Sequence, residues 1–218
     1  MHYTRKADKR YEYFDALKKN TDQGHAEEIN RNILRCHTSS RERLQHYEGL
    51  YLDIFAITGQ PKSILDIACG LNPFSLPFMG LADFEYIVSD ADVATCNLLK
   101  DYFVLTQSRG VKGTVLCLNL LSDGDLETIR KLPLVDVCFL FKILDLLDKR
   151  GHKRSEMLLT AVNAHYVIAS FATMTISGKM MRKPRRAWFE RMLQRLNYSY
   201  TLITRKNEIF YVITKHHS

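Results

Sequence analysis

Asp66, Gly70, Asp90 and Asn119 cluster where short apolar runs give way to polar residues, and side chains of these types in that order can hold a charged nucleoside. The runs are "SILDIA" (63–68), "YIVSD" (86–90) and "TVLCLN" (114–119), and a fourth, "VDVCFLF" (135–141), ends on Phe141 and Lys142. In open α/β sheets ligands sit beyond the carboxyl ends of the strands, so these positions are the ones to read for chemistry. The loop "DIACGLN" (66–72) carries one glycine where a pyrophosphate-binding G-x-G-x-x-G loop needs three. One close backbone approach at Gly70 and a nearby negative charge at Asp66 suit a ligand with a positive sulfonium and no phosphate. Asp90, with Ala91 beside it, is placed to accept both ribose hydroxyls, as the equivalent acid does for a dinucleotide ribose. Asn119 can meet the adenine amino edge, with Leu120 and Phe141 packing on the ring. An Asp at a strand end is a turn former about as often as a ligand contact, so the succession over four strand ends carries the reading. The set fits S-adenosylmethionine (SAM).

Two residues at the same edge have competing readings. Cys69 sits near a helix N-terminus that would lower its pKa, but no histidine base is apparent nearby in the sequence and a packing role ranks far above a nucleophile. Lys142, directly after an apolar strand end, reads equally as a solvated strand terminus or as a contact to substrate or phosphate. The stretch "LFKIL" also lacks the (D/N)-P-P-(Y/F) motif with which exocyclic-amine methyltransferases hold their target, so adenine-N6 chemistry is not expected.

The elements that must position these residues alternate. A fifth apolar run, "YVIASF" (166–171), follows the four above, and helix-periodic segments separate them: "VATCNLLKDYFVLTQSRG" (93–110, ending on Gly110 as a C-cap), "SEMLLTAVNAH" (155–165) and "PRRAWFERMLQRLN" (184–197, with Pro184 in its first turn). Apolar strands alternating with helices imply a parallel sheet covered on both faces. The end differs: "YSYTLITRKNEIFYVITK" (198–215) is two β-rich runs joined by "RKNE", an antiparallel hairpin. Five parallel strands closed by such a hairpin predict a Rossmann-like class I SAM-dependent methyltransferase fold with a mostly parallel seven-stranded sheet, over 61–218. Residues 1–60 read as a small helical region, in which Ser39 and Glu42 form a capping box opening a helix over 37–59 that Gly59-Gln60-Pro61 ends.

Of 218 residues, 46% are hydrophobic and 25% charged, an ordinary globular composition. The N-terminal "MHYTRKADKRYEYF" has no apolar signal core, and the five cysteines never form C-x-x-C, so the chain is expected in a reducing cytoplasm, without disulfides, metal or membrane, and as a monomer. Net charge is +7, distributed as +3 over 1–45, −7 over 46–148 and +11 over 149–206. A basic segment of that density favours a polyanionic partner over a solubilising surface. Lys179, Arg182, Lys183, Arg185 and Arg186 crowd the loop "TISGKMMRKPRRAW" (175–188), placed to grip phosphates near the pocket mouth.

The blocks "HTSSRERL" (37–44), "SILDIACGLNPFSL" (63–76), "FLFKILDLLDKR" (139–150), "ASFATMTISGKM" (169–180) and "AWFE" (187–190) resemble, in order and spacing, successive blocks of the aminoglycoside-resistance 16S rRNA methyltransferases, which modify N7 of a decoding-site guanine. The resemblance runs from about residue 37 to the end. It implies a SAM-dependent enzyme acting on 16S rRNA within the 30S subunit, with Arg41 or Arg43 reaching the SAM carboxylate, and a host gaining drug resistance. Guanine N7 carries an in-plane lone pair and no proton, so no general base is required and catalysis is alignment. N7 is hard to reach in a narrow RNA groove, so the base must flip out and stack, and Phe171, Trp188 and Phe141 are candidate platforms, each otherwise a core residue. Two departures stand out: a helical N-terminal region tens of residues shorter than in typical members, and Ala172 and Met174 where the resistance enzymes usually have Pro and Arg. The alternatives are a SAM methyltransferase acting on another RNA nucleotide or a small molecule, and a catalytically silent RNA-binding homologue.

Overall fold

A computed structural model describes residues 2–20, 22–148, 151–175, 178–182 and 184–215, the side chains of residues 2–8 and 23 excepted. Four helices come first: α1 (His2–Lys19), α2 (Gln23–Arg35), α3 (Thr38–Arg43) and α4 (Tyr47–Thr58). The sheet follows as β1 (Ser63–Ile67), β2 (Glu85–Asp90), β3 (Lys112–Cys117), β4 (Val135–Phe141), β5 (Ala164–Ala172), β6 (Ser199–Arg205) and β7 (Glu208–Thr214). Between the strands lie α5 (Val93–Thr106), α6 (Asp123–Arg130), α7 (Leu144–Leu147), α8 (Lys153–Ala161) and α9 (Ala187–Arg195), and a 3₁₀ segment, Asn72–Phe78, follows the loop after β1.

The strand order is β3-β2-β1-β4-β5-β7-β6, with β1 to β5 parallel and β7 antiparallel between β5 and β6. That is the predicted sheet, and the hairpin turns at Lys206–Asn207, inside "RKNE". β1, β2, β4 and β5 are buried over most of their length, which explains why their sequences read as unbroken apolar runs, whereas β3 is an exposed edge strand. The topological switch point lies between β1 and β4, so the loops after β1, β2 and β4 share one crevice.

Each face of the sheet has its own core. On one side Ile64, Val88, Phe139 and Phe210 pack with Phe14, Ile33, Leu34, Tyr51 and Leu99, so the helical segment and the sheet share one continuous core. On the other, Leu65, Leu140, Ala169 and Tyr211 pack with Leu126, Leu159, Phe189 and Leu193.

Two local expectations fail. The helix expected over 37–59 is broken into α3 and α4, and His37, not Ser39, stands at the first N-cap, with no side-chain cap bond. Glu42 cannot close a capping box because its carboxylate is drawn to Lys142. Pro184 lies ahead of α9, which begins at Ala187, and leaves its first turn to Arg186, whose backbone carbonyl accepts from Glu190 N.

Candidate active site

The loop after β1 is built on left-handed backbone. Ala68 and Gly70 both have φ of +53°, and Cys69 N–H donates to Ser89 O across the β1–β2 seam at 2.9 Å. Left-handed conformations in non-glycine residues cost free energy and collect at ligand sites. At Gly70 the positive φ is what favours glycine, and the His37 ring covers the loop from the start of α3, at ordinary contact distance (3.5 Å) from where a Cβ would stand. The Gly70 N–H donates to Asp90 Oδ2 at 2.8 Å, and Asp90 Oδ1 accepts from Asp92 N at 2.9 Å. Asp92 caps α5, accepting from Ala94 N, Thr95 N and the Thr95 hydroxyl, and the Thr95 hydrogen bond leads in holding its carboxyl below the usual range. Asp90 is thus fixed by one backbone donor on each oxygen, at the carboxyl end of β2 and partly exposed. Cys69 is buried with its thiol pushed well up by burial, as a packing residue is.

Asp66 is buried at the base of the loop rather than open at the crevice. It is 1% exposed, and its Oδ2 accepts from Asn72 Nδ2 at 2.8 Å and from the Tyr86 hydroxyl at 3.0 Å, while Oδ1 is buried without a partner. Burial raises its pKa from 3.8 to about 7. Its task is to tie the loop's far end, at Asn72, back to β1 and β2.

From Asn72 a buried polar chain runs across the sheet. Asn72 Oδ1 accepts from the Tyr47 hydroxyl at 3.0 Å and from Arg43 at 3.4 Å. Arg43 is 3% exposed, pairs with Glu208 at 3.0 Å and lies 4.6 Å over the Phe141 ring. Glu208 also accepts from the Ser170 hydroxyl and faces the Lys142 ammonium at 3.3 Å, whose second partner is Glu42. Lys142 has φ of +58°, so the turn after β4 aims its side chain inward at these two carboxylates. That position is not a solvated terminus, the first of its two sequence readings. Arg43 is likewise committed to Glu208, while Arg41 is exposed and has no hydrogen-bond or ion-pair partner among the described residues. Arg41 lines a separate groove of about 550 Å³ with Arg35, His46, Met174 and Lys206.

At the remaining strand ends, Ala91 is exposed beside Asp90. Asn119 accepts from Leu121 N at 3.0 Å, and its own backbone N–H donates to Asp125 at 2.8 Å. Leu120 is buried, its carbonyl accepting from Arg154 at 2.8 Å. Phe141 does not offer a free ring: it stacks on Phe139 at 4.8 Å and is closed by Phe210 and Arg43. The other two candidate platforms are also engaged. Phe171 is fully buried, and one face of Trp188 is covered by His152 at 3.8 Å and 4°. In the basic loop Arg186 pairs with Asp145 at 2.8 Å and donates to Ala172 O, and Arg185 pairs with Glu190 at 2.6 Å. Lys179 and Arg182 are exposed and have no side-chain hydrogen bond or ion pair among the described residues, and Lys183 lies outside them.

His37, Asn72, Tyr47 and Glu208 are the residues that sequence reasoning missed. His37 stood inside the block "HTSSRERL" with nothing to mark it. Glu208 had one signal, as the sole acid in the otherwise apolar and basic hairpin. A cleft of about 970 Å³ lined by Lys62, Glu85 and Lys112 opens at the amino ends of β1–β3, the wrong end of the sheet for this chemistry. Among the described residues no His, Cys, Asp and Glu group is placed to hold a metal, and no helix is long and apolar enough to cross a membrane.

With this geometry in place, the family model of the ribosomal RNA methyltransferases of the FmrO type matches residues 18–212. The chain belongs to that family. It is 30% identical over 188 residues to a 16S rRNA (guanine(1405)-N(7))-methyltransferase of Micromonospora echinospora, covering 85% of this chain and 65% of the relative. It is 34% identical over 155 residues to an enzyme of the same name from Proteus mirabilis, covering 70% and 52%. The chain therefore spans about half to two thirds of these relatives' lengths. In solved structures it shares the fold of the 16S rRNA methyltransferase RmtF in complex with S-adenosyl-L-homocysteine, at a TM-score of 0.76 and 22% identity over 97% of this chain and 76% of that one. The class I methyltransferase fold read from the strand pattern is the fold this family has.

Proposed function

We propose that the chain is a SAM-dependent methyltransferase that modifies 16S rRNA on the 30S subunit at N7 of the decoding-site guanine 1405, the target named for its relatives. The observation that carries the reading is Asp90. Each of its carboxylate oxygens already takes one backbone donor and keeps a lone pair for another, which is what two vicinal ribose hydroxyls require. Gly70, Asp90 and Ala91 are the residues to hold the nucleoside, with Leu120 and the free Nδ2 donors of Asn119 suited to the adenine side. The groups present fit the cofactor, which when bound supplies an electrophilic methyl on a sulfonium. His37 beside it has its pKa lowered by burial first and by Arg43 second, so a neutral imidazole covers the loop and adds no repulsion to a positive sulfur.

Guanine N7 needs no base, and the ionisable groups nearest the crevice are used for alignment. Arg43, Glu208, Lys142 and Glu42 hold α3 against the ends of β4 and β5. The RNA-facing surface joins Lys179 and Arg182 to Arg41 and Lys206 in the groove. Met174 connects them, lining the groove and pairing with Met180 across the loop. The helices of 1–60 supply part of this surface beside the 61–218 methyltransferase domain. The place of action is the cytoplasm, where the ribosome is, and the consequence for the host is aminoglycoside resistance.

Calorimetric titration with SAM tests the pocket. Asp90→Ala abolishes binding while the fold is retained by circular dichroism. Unchanged affinity removes Asp90 from the site.

A further inference from the structure

Two thiols meet at the peptide that carries Asp90. Cys96, in the first turn of α5, donates from Sγ to Asp90 O at 3.4 Å and lies 3.7 Å from Leu116 O. Cys117, the next residue along β3 and the β-ladder partner of Asp90, directs its Sγ to Ala91 O at 4.0 Å. Both thiols thus lie against consecutive carbonyls of one backbone segment, close enough for each to sense the other's charge. Cys96 is buried at 1% exposure, whereas Cys117 is exposed at the sheet edge. A buried thiol behind an exposed one, on two adjoining elements, is the arrangement a thiol–disulfide exchange needs.

We propose that Cys96 and Cys117 are a reversible disulfide site that closes the nucleoside end of the crevice under oxidation by a low-molecular-weight disulfide. The effect on the cofactor rests on the function proposed above; the disulfide itself does not. The exposed Cys117 thiolate attacks the small disulfide and expels one thiolate. Cys96, losing its proton to solvent, then attacks the Cys117 sulfur and expels the second small thiolate. Two protein thiols are oxidised to one disulfide as one small disulfide is reduced to two thiols. Burial chiefly, and Cys117 next, raise the Cys96 pKa to about 11, which makes Cys96 the resolving and slower partner.

The consequence is geometric. A disulfide fixes sulfur–sulfur separation near 2 Å and a dihedral near 90°, so the end of β3 is drawn against α5. Asp90 O and Ala91 O lose their thiol donors, and the peptide between them must shift. That peptide sets Asp90 relative to Gly70.

The test uses the full chain, fully reduced or exposed to oxidised glutathione. Peptide mapping without reduction is expected to show a Cys96–Cys117 cross-link, and SAM affinity by calorimetry is expected to fall about tenfold or more and return with reductant. Cys117→Ser binds SAM as the reduced wild type does and is indifferent to the oxidant. Glutathione on Cys117 with Cys96 still free, or a cross-link that leaves SAM affinity unchanged, overturns the proposal. Failure of the reduced protein to bind SAM overturns the cofactor reading, and with it the closure, whatever the peptide map shows.

Discussion

At the scale of single residues, Asp66 separates what type and spacing reveal from what burial decides. An acid four residues before a loop glycine reads as a ligand contact, but its hydrogen bonds run to Asn72 at the loop's far end and to Tyr86, twenty residues on in the next strand. Gly70 and Asp90 were legible because their roles are local: a positive φ, and a carboxylate at a strand end. Burying Asp66 has a measurable cost. With the folded pKa raised to about 7 from 3.8, the folded state holds a proton that the unfolded state has released between those values. Stability from this group is therefore complete below about 3.8 and lost as pH rises towards 7, by up to about 1.4 kcal/mol per pH unit. His37, with a lowered pKa, acts in the opposite sense, losing stability as pH falls below its ordinary 6.5. Asp66→Asn keeps an acceptor for Tyr86 and has no proton to lose. Its denaturation midpoint relative to wild type is expected to rise between pH 5 and 7, and parallel pH profiles for the two proteins would remove the buried carboxyl from the account.

At the scale of elements, all five predicted parallel strands and the hairpin formed, because short apolar runs are a signal that no distant contact needs to complete. The capping box in α3 failed for the converse reason: Glu42 found a stronger partner, Lys142, a hundred residues away. The same long-range chain makes Glu208 the joint between the terminal hairpin and α3. Removing one member of a buried ion pair leaves a charge uncompensated, at a typical cost of about 3–5 kcal/mol. Glu208→Ala is therefore expected to lower stability by that order in urea denaturation and to weaken SAM binding, because Arg43 and Lys142 are both released. Arg41→Ala, by contrast, leaves stability unchanged and weakens RNA binding alone. A Glu208→Ala protein as stable as wild type would contradict the role assigned to the chain of buried charges.

At the scale of the whole molecule, the +11 segment overstated the cations free to meet RNA. Many are paired within the fold, and often with acids of the acidic middle: Arg154 with Asp123, Arg186 with Asp145, Arg205 with Asp53. Charge density along a sequence shows that a polyanion is favoured, while the ion pairs decide which side chains remain to bind it. Among the described residues, Lys153, Lys179, Arg182, Arg191 and Lys206 of that segment carry no side-chain hydrogen bond or ion pair, and of these Lys179, Arg182 and Lys206, with Arg41, lie toward the groove side. Replacing these last four by Ala is expected to weaken 30S binding and flatten its salt dependence by about one unit of slope per lost phosphate contact, with SAM affinity kept. An unchanged slope would place the RNA on another face. The central claim is tested most directly by incubating the protein with labelled SAM and purified 30S subunits, 50S subunits and free 16S rRNA, then mapping the label. Transfer to 30S at N7 of guanine 1405 is the predicted result; label at any other position, or none on 30S, contradicts it.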